Sequence, residues 1–226
     1  MENMDQKVIV YDDACPLCKA YTAGFVKAGW LKQRSGFSGI QPEMMAKIDL
    51  DRARHEIPLL DMKTGEVVYG LQALFLILGE RMPMLKPLFK AGWFKAMWYP
   101  VYQIITYNRR IIAGSGAPAT GFDCAPDVNL FYRWLYIFLG IAGAVTLYLP
   151  LWNSMDPLAR VLPVFHLLIP VASFFVSKKL DFFGHWATIA LASALVSAVL
   201  PVALLFKAAA GFLVACWMWW LRKNKV

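Results

Sequence analysis

Between Trp134 and Leu221 the chain runs through four stretches without a charged side chain: 134–155, 161–177, 182–206 and 208–221. No other feature limits the fold as strongly. A helix needs about 20 apolar residues to cross a roughly 30 Å hydrocarbon core. Inside that core every backbone N–H and C=O must find a partner within the protein, so a chain of this pattern is restricted to helices. Residues 182–221, interrupted by Lys207 near Pro201, are long enough for two crossings at about 1.5 Å per residue. The pattern predicts an all-α transmembrane four-helix region over 132–226.

The charges between these stretches orient them. Arg109, Arg110 and Arg133 precede the first, and Lys178 and Lys179 separate the second from the third. Arg222, Lys223 and Lys225 follow the fourth, while the opposite side has Arg160, with Asp156, and Lys207. Lys and Arg collect on the cytoplasmic side. An integral protein of the inner or plasma membrane with cytoplasmic N- and C-termini is therefore expected. Trp134, Trp152, Trp217, Trp219 and Trp220 fall at span ends, as interfacial aromatics do. Gly140, Gly143, Ala144, Ala187, Ala190, Ser193, Ala194 and Ser197 would let helices approach closely.

The first half is of a different kind. Residues 1–110 hold 15 of the 23 Lys+Arg and 11 of the 15 Asp+Glu, and this length suffices for one small α/β domain with its own core. A Gly-rich linker over 111–131 is expected to follow. The polar start shows no secretory pattern, so the domain is expected to stay on the side where it was made. The net charge of +8 flanks apolar segments, which points to a lipid bilayer rather than nucleic acid as partner. Segment 81–110 carries Arg81, Lys86, Lys90, Lys95, Arg109 and Arg110 and no acid, interleaved with Trp93, Phe94, Met97 and Trp98. Two readings stay open for it: helices lying on a membrane surface, or helices closing the domain.

Upstream, residues 7–11 read as a buried strand, and 15–32 as a helix with Thr22, Phe25, Val26, Gly29 and Trp30 inward. Residues 37–41 read as a second strand after a Ser35-Gly36 turn, and 42–48 as a short helix. Two strands, 57–62 and 67–69, flank a Gly65 hairpin turn, and 71–80 forms a helix. This β-α-β-(α)-β-β-α order is thioredoxin-like.

Directly after the first strand stands Asp12-Asp13-Ala14-Cys15-Pro16-Leu17-Cys18. The C-x-x-C spacing puts two thiols one turn apart, with Cys15 where the helix begins. The positive end of a helix favours thiolate, the form that attacks disulfides and binds soft metals. Pro16 suits a first turn, where its missing N–H would be unpaired anyway. Cys15 is the candidate nucleophile and Cys18 the resolving thiol. Asp12 is a candidate proton acceptor for Cys18, and Asp13 is as readily a turn acid. Tyr11, Ile57 and Pro58 are candidates for substrate binding, with a cis bond expected before Pro58.

Alternatives stand beside this reading. Zinc would need two further ligands, with His55 and Cys124 as candidates, in a metal-binding membrane scaffold. A transporter-like bundle is the other. Cys124 is either a third thiol or a lone surface residue, and Cys216 is an apolar filler of the fourth span. His166 and His185 are polar groups within spans, His185 near an end where it can snorkel.

The pattern Asp12-x-x-Cys15-x-x-Cys18 resembles the DCC family of thiol-disulfide oxidoreductases. Leu59-Leu60-Asp61, Gly65 to Gly70 and Ala73-Leu74 are similar to that family's strand-turn-strand-helix stretch. Tyr107-Asn108-Arg109-Arg110, followed by Cys124, is similar to its end. Asp13 departs from the Gly often found there, and the spans lie outside the likeness. The resemblance implies a thioredoxin-like fold and dithiol–disulfide exchange with a protein or small-molecule thiol partner. No cofactor or resident metal is expected.

Overall fold

In the computed structural model the described residues are 4–118, 122–153, 157, 160–161, 163–166, 168, 180–199 and 204–222. They form two compact units, Met1–Val128 and Asn129–Val226.

The first unit is built on β1 (Lys7–Tyr11), whose β-branched run suits a strand. Side chains alternate between sheet faces. Ile9 accordingly packs with Leu31, Leu59 and Ile77, whereas Val10 packs with Phe37, Ile48 and Tyr69. The sheet is thus covered on both faces. Helix α1 (Pro16–Lys27) follows, with its Phe25 and Val26, and Trp30 just beyond its end, against the Ile9 cluster. It ends before the expected residue 32 because Ala28 caps it and Gly29 adopts φ +68°, turning the chain back.

The second strand lies earlier than expected. β2 (Gln33–Gly36) pairs parallel with β1, Tyr11 opposite Gly36, and Phe37–Gly39 is a 3-10 turn rather than strand. The Asp13 carboxylate accepts the Ser38 N–H at 2.6 Å and pulls the chain off the sheet. A Cβ on Gly36 would overlap that carboxylate. Asp13 is therefore a turn acid. Two short helices follow, α2 (Pro42–Met45) and α3 (Leu50–His55). The second was not foreseen; its N-cap Asp49 accepts the Arg52 N–H at 3.1 Å.

β3 (Pro58–Asp61) and β4 (Val67–Tyr69) form the expected hairpin. Asp61 accepts the N–H groups of Lys63 and Thr64, and Gly65 supplies φ +77°. The sheet order is β2-β1-β3-β4, with β1–β3 and β3–β4 antiparallel. Helix α4 (Gly70–Arg81) buries Ala73, Phe75 and Ile77. The basic segment becomes α5 (Lys86–Lys90) and α6 (Gly92–Ala113). Residues 122–127, expected as linker, are instead a strap held on this unit. Phe122 meets Phe37 with ring centroids 5.3 Å apart, Arg110 pairs with Asp123, and His55 Nε2 lies 3.2 Å from Asp127.

The second unit contains α7 (Leu130–Trp152), α8 (Leu180–Val199) and α9 (Leu204–Arg222). α7 and α8, of mean hydropathy 1.8 and 1.6, are long and apolar enough to cross a membrane. The apolar part of α9, Ala209–Arg222, is shorter. Most of the expected span 161–177 lies outside the described residues. α8 packs between α7 and α9 through the small residues expected to allow it: Ala187, Ala190, Ser193, Ala194 and Ser197 are buried, and a Cβ on Gly140 would sit 3.1 Å from that of Ala187. His185 is buried rather than snorkelling, since α8 has neighbours on both sides.

The tightest approach is at Gly211, where a Cβ would overlap Ser197 Oγ and come within 3.1 Å of the Ser193 carbonyl. Gly211→Leu should cost about 1–3 kcal/mol by overpacking. Thermal unfolding of the detergent-solubilised protein should show a lowered midpoint; an unchanged one would mean that α8 and α9 do not pack this way.

Candidate functional site

Where β1 ends, Asp12 folds the chain into the helix. Its Oδ1 accepts the Ala14 N–H at 2.9 Å and its carbonyl accepts the Cys15 N–H at 3.1 Å. This leaves Cys15 at the N-cap of α1 in extended conformation (φ −99°, ψ 108°). Its Sγ accepts the Cys18 N–H at 3.4 Å, the bond a Ser or Asp oxygen usually makes at that position. Both sulfurs are unbonded and buried.

The two thiols are driven apart in acidity. Cys15 is lowered to about 7, chiefly because the Cys18 side chain hydrogen-bonds to its sulfur. Burial opposes this, while the Cys18 N–H and the Arg109 charge assist. Cys18 is pushed well above the ordinary thiol range, first by that bond to Cys15 and then by burial. Near neutral pH Cys15 ionises readily, while Cys18 keeps its proton.

Arg109, from the buried C-terminal half of α6, completes the site. Its Nη2 lies 3.5 Å from Asp12 Oδ2, with both side chains under a tenth exposed, and it donates to the Cys124 carbonyl. Arg110 Nη2 stands 3.9 Å from the same carboxylate oxygen. The strap is thus tied to the residue that faces Asp12. Cys124 is not a surface residue: it is 1% exposed and its thiol is pushed up to about 12 by burial and the Asp12 charge.

Of the residues expected from sequence, Asp12, Cys15 and Cys18 are brought together. Three others fill structural places. The half-buried Tyr11 packs on the core beneath the Arg34 guanidinium, 4.9 Å from its ring centroid. Ile57 has both backbone groups engaged, its N–H with Tyr102 Oη at 3.4 Å and its carbonyl with the Gly70 N–H at 2.8 Å. The Ile57–Pro58 bond is trans, not cis, and Pro58 pairs with Tyr69 inside the sheet. β3 lies between β1 and β4.

Arg109 was not recognised in the sequence as a site residue. It stands in an Asn108-Arg109-Arg110 run where α6 changes from exposed to buried, and a cation on a buried face was the available signal. For the zinc alternative, no group of three or more His, Cys, Asp or Glu among the described residues is placed to hold a metal ion. In the second unit, His166 Nε2 contacts Ser193 Oγ at 3.1 Å, and that hydroxyl also meets Tyr148 Oη at 3.0 Å. Cys216 is exposed on α9. Compared with protein families, curated proteins and solved structures, the chain finds no match.

The split in acidity between the two thiols should be measurable. Alkylation of Cys15 should rise with pH through a midpoint near 7, with Cys18 unmodified at neutral pH. Peptide mass spectrometry reads both. Cys18 alkylated before Cys15 would overturn the assignment.

Proposed function

We propose that the first unit is a thioredoxin-like dithiol–disulfide exchange domain of the DCC type, held at a membrane by the helices of the second. One observation carries this reading: Cys15 caps a helix, hydrogen-bonded by Cys18 and charged near neutral pH, while Cys18 holds the proton. A nucleophile with a lowered pKa beside a protonated partner is the division of labour that exchange requires. The sheet order and the place of the thiols after β1 agree with a thioredoxin-like core.

The Cys15 thiolate attacks one sulfur of a substrate disulfide. A mixed disulfide forms, and the other substrate sulfur leaves as thiolate and takes a proton. Cys15 then no longer carries charge, so the largest cause of the high Cys18 pKa is gone. Cys18 gives its proton to Asp12 and attacks Cys15 Sγ. The second substrate thiol is released, and a Cys15–Cys18 disulfide remains. The substrate gains two electrons and the protein loses them. Arg109 offsets negative charge throughout, as an electrostatic stabiliser should. In a reducing cytosol the direction is reduction of the partner.

Four spans with both termini cytoplasmic remain our reading of the charge pattern. α7 and α8 have the length and hydropathy this needs.

Cys18→Ser should trap the mixed disulfide. In cells, thiol-sensitive adducts should accumulate with Cys18→Ser and be lost in Cys15→Ser/Cys18→Ser. Non-reducing gels followed by mass spectrometry identify the partners. Equal adducts in both variants would remove Cys15 from the mechanism.

A further inference from the structure

We propose that the outer face of α6 is a second membrane contact, an interfacial segment that docks on a leaflet rich in anionic phospholipid. The inference rests on attachment to a bilayer, not on the thiol chemistry.

Four apolar residues on α6, Trp93, Met97, Val101 and Ile105, are spaced at i, i+4, i+8 and i+12 and are exposed by 66, 53, 43 and 45%. Such spacing puts side chains along one line of a helix. Trp98, 42% exposed, widens the line, and Met84, 94% exposed, stands just ahead of it. Water-exposed patches of this kind mark an interaction surface.

Charge selects the occupant. Arg81 and Lys90 are exposed and Lys95 is half-exposed on the same stretch, and no acidic residue occurs from Arg81 to Phe122. A protein surface of mixed sign gains nothing special from that one-signed rim, whereas an anionic headgroup layer is attracted to it. Tryptophan favours the headgroup boundary, where an apolar body and a polar N–H are both satisfied. The same chain carries helices long and apolar enough to cross a membrane, the first beginning at Leu130. Cations flanking an apolar stripe, on a chain that holds such helices, are the pattern of a helix lying in the interface.

The test uses the full chain in nanodiscs of phosphatidylcholine, with or without phosphatidylglycerol. A benzophenone amino acid replaces Met97, Val101 or, as a control on the exposed hairpin, Lys63. After irradiation, lipid adducts are read by mass spectrometry. Adducts are expected at positions 97 and 101 and not at 63. They should be several-fold more abundant with phosphatidylglycerol and fall with added salt, because exposed charges are screened. Lys90→Gln with Lys95→Gln should reduce them to the phosphatidylcholine level. Absence of adducts at 97 and 101 in anionic discs overturns the proposal, as does crosslinking to a second copy of the chain. Adduct formation at position 97 is unaffected by Cys15→Ser, so the exchange reading can fail while this one stands.

Discussion

The first unit hangs together around a buried pair of opposite charges, Asp12 and Arg109. Asp12 belongs to the turn that leaves the first strand, and Arg109 to the last helix of the unit, almost a hundred residues later. Burying two charges is expensive, and such a pair persists only where further bonds satisfy its atoms. Here Asp12 Oδ1 accepts the Ala14 N–H and Arg109 donates to the Cys124 carbonyl, while Asp12 Oδ2 and Arg109 Nε make no hydrogen bond among the described residues. The pair thereby joins β1, α1, α6 and the strap at one point. Removing Asp12 would leave the buried Arg109 charge without its carboxylate, a loss of roughly 3–5 kcal/mol.

The asymmetry of the two thiols follows from position more than from composition. Both are cysteines, both are buried, and both feel Arg109 and Asp12. Only Cys15 stands at the N-cap, where the Cys18 N–H points at its sulfur. The bond that stabilises charge on Cys15 holds the proton on Cys18. Each acidity is a property of the pair, and a chemical event at one sulfur resets the other. Cys15 is also fully buried.

The second unit is organised by size and by one hydroxyl. Its small residues let α8 lie against α7 and α9, where backbone proximity rather than hydrophobicity drives association in lipid. Ser193 Oγ donates to the Gly211 carbonyl at 2.8 Å and meets Tyr148 and His166, so one side chain links the packed helices. A buried polar group without such partners would destabilise the packing.

Local patterns were sufficient for much of this. The strand-to-helix turn at Cys15, the hairpin at Gly65, the small-residue face of α8 and the apolar helices are all set by near neighbours in sequence, through periodicity, caps and turn residues. The position of β2 was not legible, because Gln33 to Gly36 has no apolar alternation and is a strand through pairing with β1 and through Asp13. The trans bond at Ile57–Pro58 and the engagement of both Ile57 backbone groups were not legible either, because they depend on partners distant in the chain. Arg109 and Cys124 joined the site only through long-range packing of α6 and the strap. By itself the sequence determined where the C-x-x-C pair sits on its turn and which segments are helical and apolar, since those depend on residue type and short spacing. Tertiary structure alone decided which charge faces the thiols and what that charge binds on the strap, because both depend on contacts between segments far apart in the chain.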